Sequence, residues 1–160
     1  MGFHMRASAN GGIEQVAWHA DASALLASEA RSRAVYNGFW FSKEGKPMKQ
    51  VDDISIDELE EMAENMYGEL VKAVVDVEKR TMVVDAGLHV DEEQWLLETG
   101  SRQSDLWGIN LYPDSFGDED FVEFDSMINI RPAQNNRSRS VEDASTKALI
   151  VEIVGEIVHG

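Results

Sequence analysis

"LVKAVVDVEKRTMVV", residues 70–84, decides the fold. "LVKAVVDV" (70–77) is rich in valine and too short for an independent helix, so it reads as a strand. "EKRT" (78–81) interrupts it with charge, and "MVV" (82–84) resumes the apolar run. The stretch predicts a hairpin, and two strands joined so tightly can only run antiparallel.

Helical signals flank this hairpin. Upstream, Ser55-Ile56-Asp57-Glu58 has the form of a capping box, and Ile56, Leu59, Met62, Ala63, Met66 and Leu70 follow at helical spacing, which predicts a helix over 55–68. Downstream, "HVDEEQWLLETG" (89–100) predicts a helix over 91–99. Asp91 stands as N-cap with Gln94 at N3, Val90 and Trp95 take the staple positions, and Gly100 closes the end. Two more strands follow, "LWGINLY" (106–112) and "FVEFDSMINI" (121–130). In the second, Val122, Phe124, Ile128 and Ile130 alternate with polar residues, although Ser126 and Met127 break the pattern. A last helix is expected over 141–158, with Ser140 as N-cap, Asp143 at N3 and an apolar face of Ala144, Leu149, Val151, Val154, Ile157 and Val158.

These elements predict an α+β domain over 46–160: a small, mostly antiparallel sheet of about four strands packed against two or three helices. Helices 55–68 and 141–158 are expected on one face and helix 91–99 at one end. Residues 1–45 read as an N-terminal extension, with a helix from about Ile13 to Arg33 and a hairpin turning at Asn37-Gly38. The Gly- and Pro-containing "SKEGKP" (42–47) then marks a linker.

The 160 residues carry a formal net charge of −16, all of it in 46–160, because residues 1–45 hold four basic and four acidic side chains. Such a field repels nucleic acid, so duplex binding is not expected. The densest run, 52–69, has eight acids and no Lys or Arg. A helix so charged reads as a solvated face, or as a surface for a basic protein held through Glu60, Glu61 and Glu64. The chain has no cysteine, which excludes thiolate metal sites and cysteine nucleophiles. It has no apolar run near the ~18 residues of a membrane span and no secretory h-region, so the cytoplasm is the expected compartment.

Against this acidity stands "INIRPAQNNRSRS" (128–140), with three arginines, three asparagines, one glutamine and no acid. It leads from the last strand into the N-terminus of the last helix, where free N–H groups and arginine forks suit a phosphate or carboxylate. The alternative is that these arginines hold the acidic helices to the domain, while Asn135, Asn136, Ser138 and Ser140 shape turns and caps. Glu142 and Asp143 already occupy that helix start, which favours the alternative. His89-Val90-Asp91-Glu92-Glu93 is a second cluster of possible ligands, but a metal site would need further donors from elsewhere, and none is assigned. There is no Walker loop, G-x-G-x-x-G, H-E-x-x-H or G-x-S-x-G motif. Trp95 and Trp107 read as core.

At "VKAVVDVEKRTMVV", "LHVDEEQWLLETGSRQSDLWGINLYP" and "SMINIRPAQNNRS" the chain resembles a family of small prokaryotic proteins catalogued as a domain of unknown function, over about 48–158. The resemblance implies a compact α+β domain and carries no activity across. Its most recognisable positions match His89, Asp91, Gly100, Ser101, Gln103, Leu106, Trp107, Gly108 and Asn110 here. They continue at Asn129, Arg131, Pro132, Gln134, Asn136, Arg137 and Ser138.

The expected function is a non-catalytic binding module that presents a polar Asn/Arg surface to a small anionic ligand or a protein partner. Its candidate residues are His89, Asn110, Asn129, Arg131, Gln134, Asn136 and Arg137. No cofactor is expected, and no catalytic residue is assigned. The alternative is an enzyme acting on a phosphorylated or nucleotide-like substrate, with Arg131 and Arg137 on the anion and His89 or Asp91 as acid, base or metal ligand.

Overall fold

The computed structural model of the chain describes the backbone of Trp40–Phe41 and residues 47–160. In chain order the elements are β1 (Trp40–Phe41), β2 (Pro47–Val51), β3 (Ile54–Ser55), α1 (Ile56–Met66), β4 (Val71–Asp76), β5 (Thr81–Val84), α2 (His89–Glu98), β6 (Leu106–Leu111), β7 (Val122–Glu123), α3 (Ala144–Ile157) and β8 (Val158–His159). The helix and the Asn37-Gly38 turn expected within 1–45 lie outside the described residues.

The 70–84 hairpin forms as read. β4 and β5 pair antiparallel from Ala73↔Val84 to Asp76↔Thr81. Asp76 is buried at the turn, where its Oδ1 accepts from the N–H groups of Glu78 and Lys79, both at 3.0 Å. Arg80 takes a left-handed conformation with φ 52° before the chain re-enters the sheet. Around this hairpin the sheet runs β1-β2-β5-β4-β6-β7, antiparallel throughout, and the four longer strands form its centre. A separate parallel pair, β3 with β8, ties the C-terminal end to the start of α1.

Both faces of the sheet are apolar, which explains the unbroken valine runs of β4 and β5. On one face Val71, Ala73, Val75, Met82, Val84, Ile109 and Leu111 pack with Leu59 and Ala63 of α1 and Ile150, Ile153, Val154 and Ile157 of α3. On the other, Met48, Val74, Val83 and Leu106 pack with Trp95 and Leu96 of α2. Helix α2 therefore covers the second face rather than lying at one end. Burying each large aliphatic or aromatic side chain contributes about 1.5–3 kcal/mol. The two anchors Trp95 and Leu96 hold α2 down without help from its cap.

The capping box of α1 is present in full, with Ser55 and Glu58 bonding reciprocally. Gly100, at φ 90°, ends α2 in a Schellman motif: Ser101 N–H donates to Leu96 O at 2.9 Å and Gly100 N–H to Leu97 O at 3.2 Å. Two helix starts differ from expectation. Helix α2 begins at His89, so Asp91 sits inside its first turn and caps nothing, and Leu88 is the N-cap without a side-chain bond. A side-chain cap is worth about 1 kcal/mol. The earlier start instead buries the His89 ring and gives it a hydrogen bond to the sheet. Helix α3 begins three residues later than expected, because Asp143 itself is the N-cap and accepts from Thr146 N–H at 2.7 Å. Its buried face includes Ile150 and Ile153, while Val151 points to solvent.

The largest correction concerns 121–130. Only Val122–Glu123 is strand, and Met127–Asn129 forms a 3-10 turn. The alternation fails at Ser126 and Met127, and from there the edge of β6 is met by a side chain instead of a backbone.

Candidate functional site

That side chain is Asn129. It is fully buried; its Oδ1 accepts from Gly108 N–H, and its Nδ2 donates to Gly108 O and to Arg139 O, each at 2.9 Å. A carboxamide carries a donor and an acceptor like a peptide group, so Asn129 takes the place of one residue of a missing strand. The approach requires glycine opposite. A Cβ at Gly108 would lie 2.5 Å from Ser126 Oγ and 2.6 Å from Ser126 Cβ.

Asn136 closes the loop from inside. Its Nδ2 donates to the carbonyls of Asn129 (2.8 Å), Ser138 (3.1 Å) and Ser140 (2.7 Å), and its Oδ1 accepts from Glu142 N–H at 2.7 Å. Its backbone bridges Arg131. Glu142 Oε1 accepts from the N–H groups of Arg137 and Ser138, and these bonds hold its carboxyl below the usual range. Asp143 is held at about 2 by bonds from Ser145 and Thr146. The N-terminus of α3 is thus already occupied by the protein's own carboxylates.

Arg131 faces inward. Its guanidinium donates to Gln103 O at 2.5 Å and to Glu93 Oε1 at 3.1 Å and lies 5.2 Å from the centre of the Trp107 ring. Burial lowers its pKa, and Glu93 works against that. The pair is nearly sealed from water, with side-chain exposures of 7% and 10%. Gln134 and Arg137 lie exposed on the loop's outer side.

The remaining two candidates come together elsewhere. His89, at the start of α2, and Asn110, on β6, are both buried. His89 Nε2 is 2.7 Å from Ile109 O, and a carbonyl can only accept, so Nε2 carries the proton. Desolvation holds the ring pKa at about 4. The ring is neutral at pH 7, and its Nδ1 lone pair has no partner among the described residues.

Asn110 stands opposite Lys72 on β4 and opposite Glu123 on β7, so the three side chains form a row across adjacent strands. Such neighbours are about 5 Å apart at Cβ. Asn110 Nδ2 donates to Glu123 Oε2 at 2.7 Å, and Tyr112 OH donates to the same oxygen at 3.1 Å. The residue is 5% exposed, yet its Oδ1 has no partner. Lys72 Nζ lies 5.1 Å from the centre of the Tyr67 ring and has no carboxylate partner among the described residues. An open concavity of about 350 Å³ borders the row at Tyr112 and Glu123, with Ser115, Asp120 and Val122.

Lys72 and Glu123 were not among the candidates. The available signal was Lys72 as the one cation in a valine-rich strand. Among the described residues no group of three or more His, Asp or Glu side chains is placed to hold a metal, and no helix is long and apolar enough to cross a membrane.

The fold and these sites define an α+β domain with a three-layer core, an amide-braced loop and a polar row across three strands. The chain belongs to the DUF5674 family of proteins of unknown function, which matches residues 49–157. No curated protein and no solved structure matches it.

Proposed function

We propose that the domain is a non-catalytic binding module for a small polar ligand, and that it recognises this ligand through the row Lys72–Asn110–Glu123 with His89 beside it. The observation that carries this reading is the buried, unpartnered Oδ1 of Asn110, opposite Lys72, whose ammonium has no carboxylate partner among the described residues. A buried acceptor left unmade costs about 1–3 kcal/mol, which a ligand donating to it would relieve. An anion held by the Asn/Arg loop draws less support, since Arg131 is paired with Glu93 and Asn129 and Asn136 are bonded to the backbone. The enzymatic reading shares that weakness, because it needs Arg131 for the substrate's anion.

Thermal unfolding tests the proposal, because a ligand that binds only the folded state raises the midpoint. The panel is amino acids, simple carboxylates and amines, nucleotides, sugar phosphates and divalent metals. At a hundredfold excess over Kd the gain is about 2.7 kcal/mol, or several degrees. At least one class is expected to shift the wild type and not a folded Asn110→Ala variant. No shift with any class, or a shift that survives Asn110→Ala but disappears in Arg137→Ala, would contradict the reading.

A further inference from the structure

We infer that Glu92 and His89 form a pH-sensitive latch, which holds residues 85–92, the β5–α2 connection and the first turn of α2, closed against the sheet and releases them when either side chain ionises. The segment lies between firm anchors. Val84 before it pairs with both Lys49 and Ala73, and Glu93 after it is bonded to Arg131 and Gln103. Trp95 and Leu96 then bury the next turn. The segment itself is held more lightly. Leu88, the N-cap, makes no side-chain cap bond, and Leu88 and Val90 are half exposed. Asp85 opens the connection at a left-handed φ of 73°, a conformation disfavoured for residues other than glycine. Tyr67 OH donates to Gly87 O at 2.6 Å. The other two ties come from titratable groups one helical turn apart: Glu92 Oε1 accepts from Ala86 N–H at 3.1 Å, and His89 Nε2 donates to Ile109 O at 2.7 Å.

Position keeps both groups uncharged while the latch is closed. Glu92 is fully buried and its Oε2 has no partner, so an anion there would be poorly supported. The charged groups around it are Lys72 from β4, Asp85 from the connection and Asp91 from its own helix, two anions against one cation. Around His89 they are Lys72, Asp125 and Arg139, two cations against one anion. Burial is the largest effect on each, raising the carboxyl well above 4.5 and lowering the ring from 6.5 to about 4. Release returns both to water and to their ordinary values. As pH rises above 4.5 the open form loses the Glu92 proton first, so opening grows by up to about tenfold per unit until pH reaches the raised value. As pH falls below 6.5 the open form gains the His89 proton first, so opening grows again until about pH 4. The latch is therefore tightest between pH 4.5 and 6.5 and loosens on either side. Release parts the His89 ring from β6 at the residue before Asn110, which makes residues 85–92 a gate beside the polar row. It operates with no ligand present.

Native-state amide hydrogen exchange of the full chain tests the latch, followed by NMR from about pH 4.5 to pH 7.5 and corrected for the pH dependence of intrinsic exchange. Ala86 and Asp91, whose N–H groups are bonded to Glu92 Oε1 and Leu88 O, report the segment. Val74 and Val83, in the centre of the sheet, report global unfolding. Ala86 and Asp91 are expected to open more readily than Val74 and Val83 at every pH. The ratio of wild-type to Glu92→Gln opening should grow several-fold from pH 5.5 to pH 7.5. The ratio of wild-type to His89→Gln opening, in a variant whose amide can still donate to Ile109 O, should grow several-fold from pH 6.5 to pH 4.5. Exchange of Ala86 and Asp91 only at the rate of Val74 and Val83 would show that the segment opens with the whole domain and would overturn the latch. A ratio that stays flat across pH for either variant would overturn it as well.

Discussion

Replacing Asn129 by alanine should destabilise the domain strongly, although Asn129 lies in the connection between β7 and α3 rather than in a strand or an α-helix. The substitution removes three hydrogen bonds at 2.9 Å and strands the N–H and C=O of Gly108, while the C=O of Arg139 keeps the N–H of Ser126 at 3.1 Å. Both Gly108 groups are buried. A buried polar group without a partner costs about 1–3 kcal/mol, and the Arg139 carbonyl retains a partner, so the two Gly108 groups set a loss of about 2–6 kcal/mol. A domain of this size is stable by only about 5–15 kcal/mol. Urea unfolding followed by tryptophan fluorescence reads the loss directly. With a slope of about 2 kcal/mol/M, the midpoint should fall by roughly 2 M. Asn129→Asp should be hardly better, because it keeps an acceptor for Gly108 N–H but sets carboxylate oxygen against two carbonyls. A midpoint change below about 0.5 M for Asn129→Ala would refute the claim that this amide stands in for a strand.

Gly108→Ala should destabilise by about 1–3 kcal/mol in the same assay, since the added Cβ must push Ser126 aside from 2.5 Å. Arg131→Ala leaves Glu93 buried with only Gln103 as partner and should cost about 3–5 kcal/mol, whereas the double variant Glu93→Leu/Arg131→Met should lose less than either single truncation. Glu92 gives a pH signature. It is wholly buried, its Oε1 accepts from Ala86 N–H at 3.1 Å, its Oε2 has no partner, and burial raises its pKa well above 4.5. The folded state therefore favours the proton. The stability linked to it is complete below pH 4.5 and drains away as pH rises through the raised value. Glu92→Gln keeps the acceptor for Ala86 and removes this drain, so its urea midpoint should gain on the wild type between pH 5 and pH 9. An unchanged difference between the two proteins across that range would contradict the burial argument.

The hairpin at 70–84, the capping box at Ser55 and the Gly100 closure were legible because each depends on neighbours a few residues apart. Asp91 misled for the same reason. It has the chemistry of a cap, but the His89–Ile109 bond, formed across twenty residues, pulled the helix start two residues earlier. The end of the strand at 121–130 was half legible, since Ser126 and Met127 broke the alternation. That Asn129 would then pair with Gly108 depends on a contact between residues 21 apart in sequence, which no local pattern encodes. The cationic island was correctly located, but its composition could not say whether the arginines and asparagines face a ligand or the backbone. Arg131, Asn129 and Asn136 turn inward, and this follows from Glu93, Gly108 and the carbonyls around them. Lys72 and Glu123 join Asn110 only through strand register, and a slip of one residue would have sent them to the opposite face.

The most direct test of the account is to follow the side-chain amide resonances of Asn110, Asn129 and Asn136 by NMR while the full chain is titrated with the compounds of the thermal panel. The Asn110 pair should move with saturable dependence on ligand, with backbone shifts at Lys72 and Glu123, while the Asn129 and Asn136 pairs stay fixed. Movement of Asn136, Gln134 and Arg137 with Asn110 unmoved would place binding on the amide-rich loop and contradict the central claim.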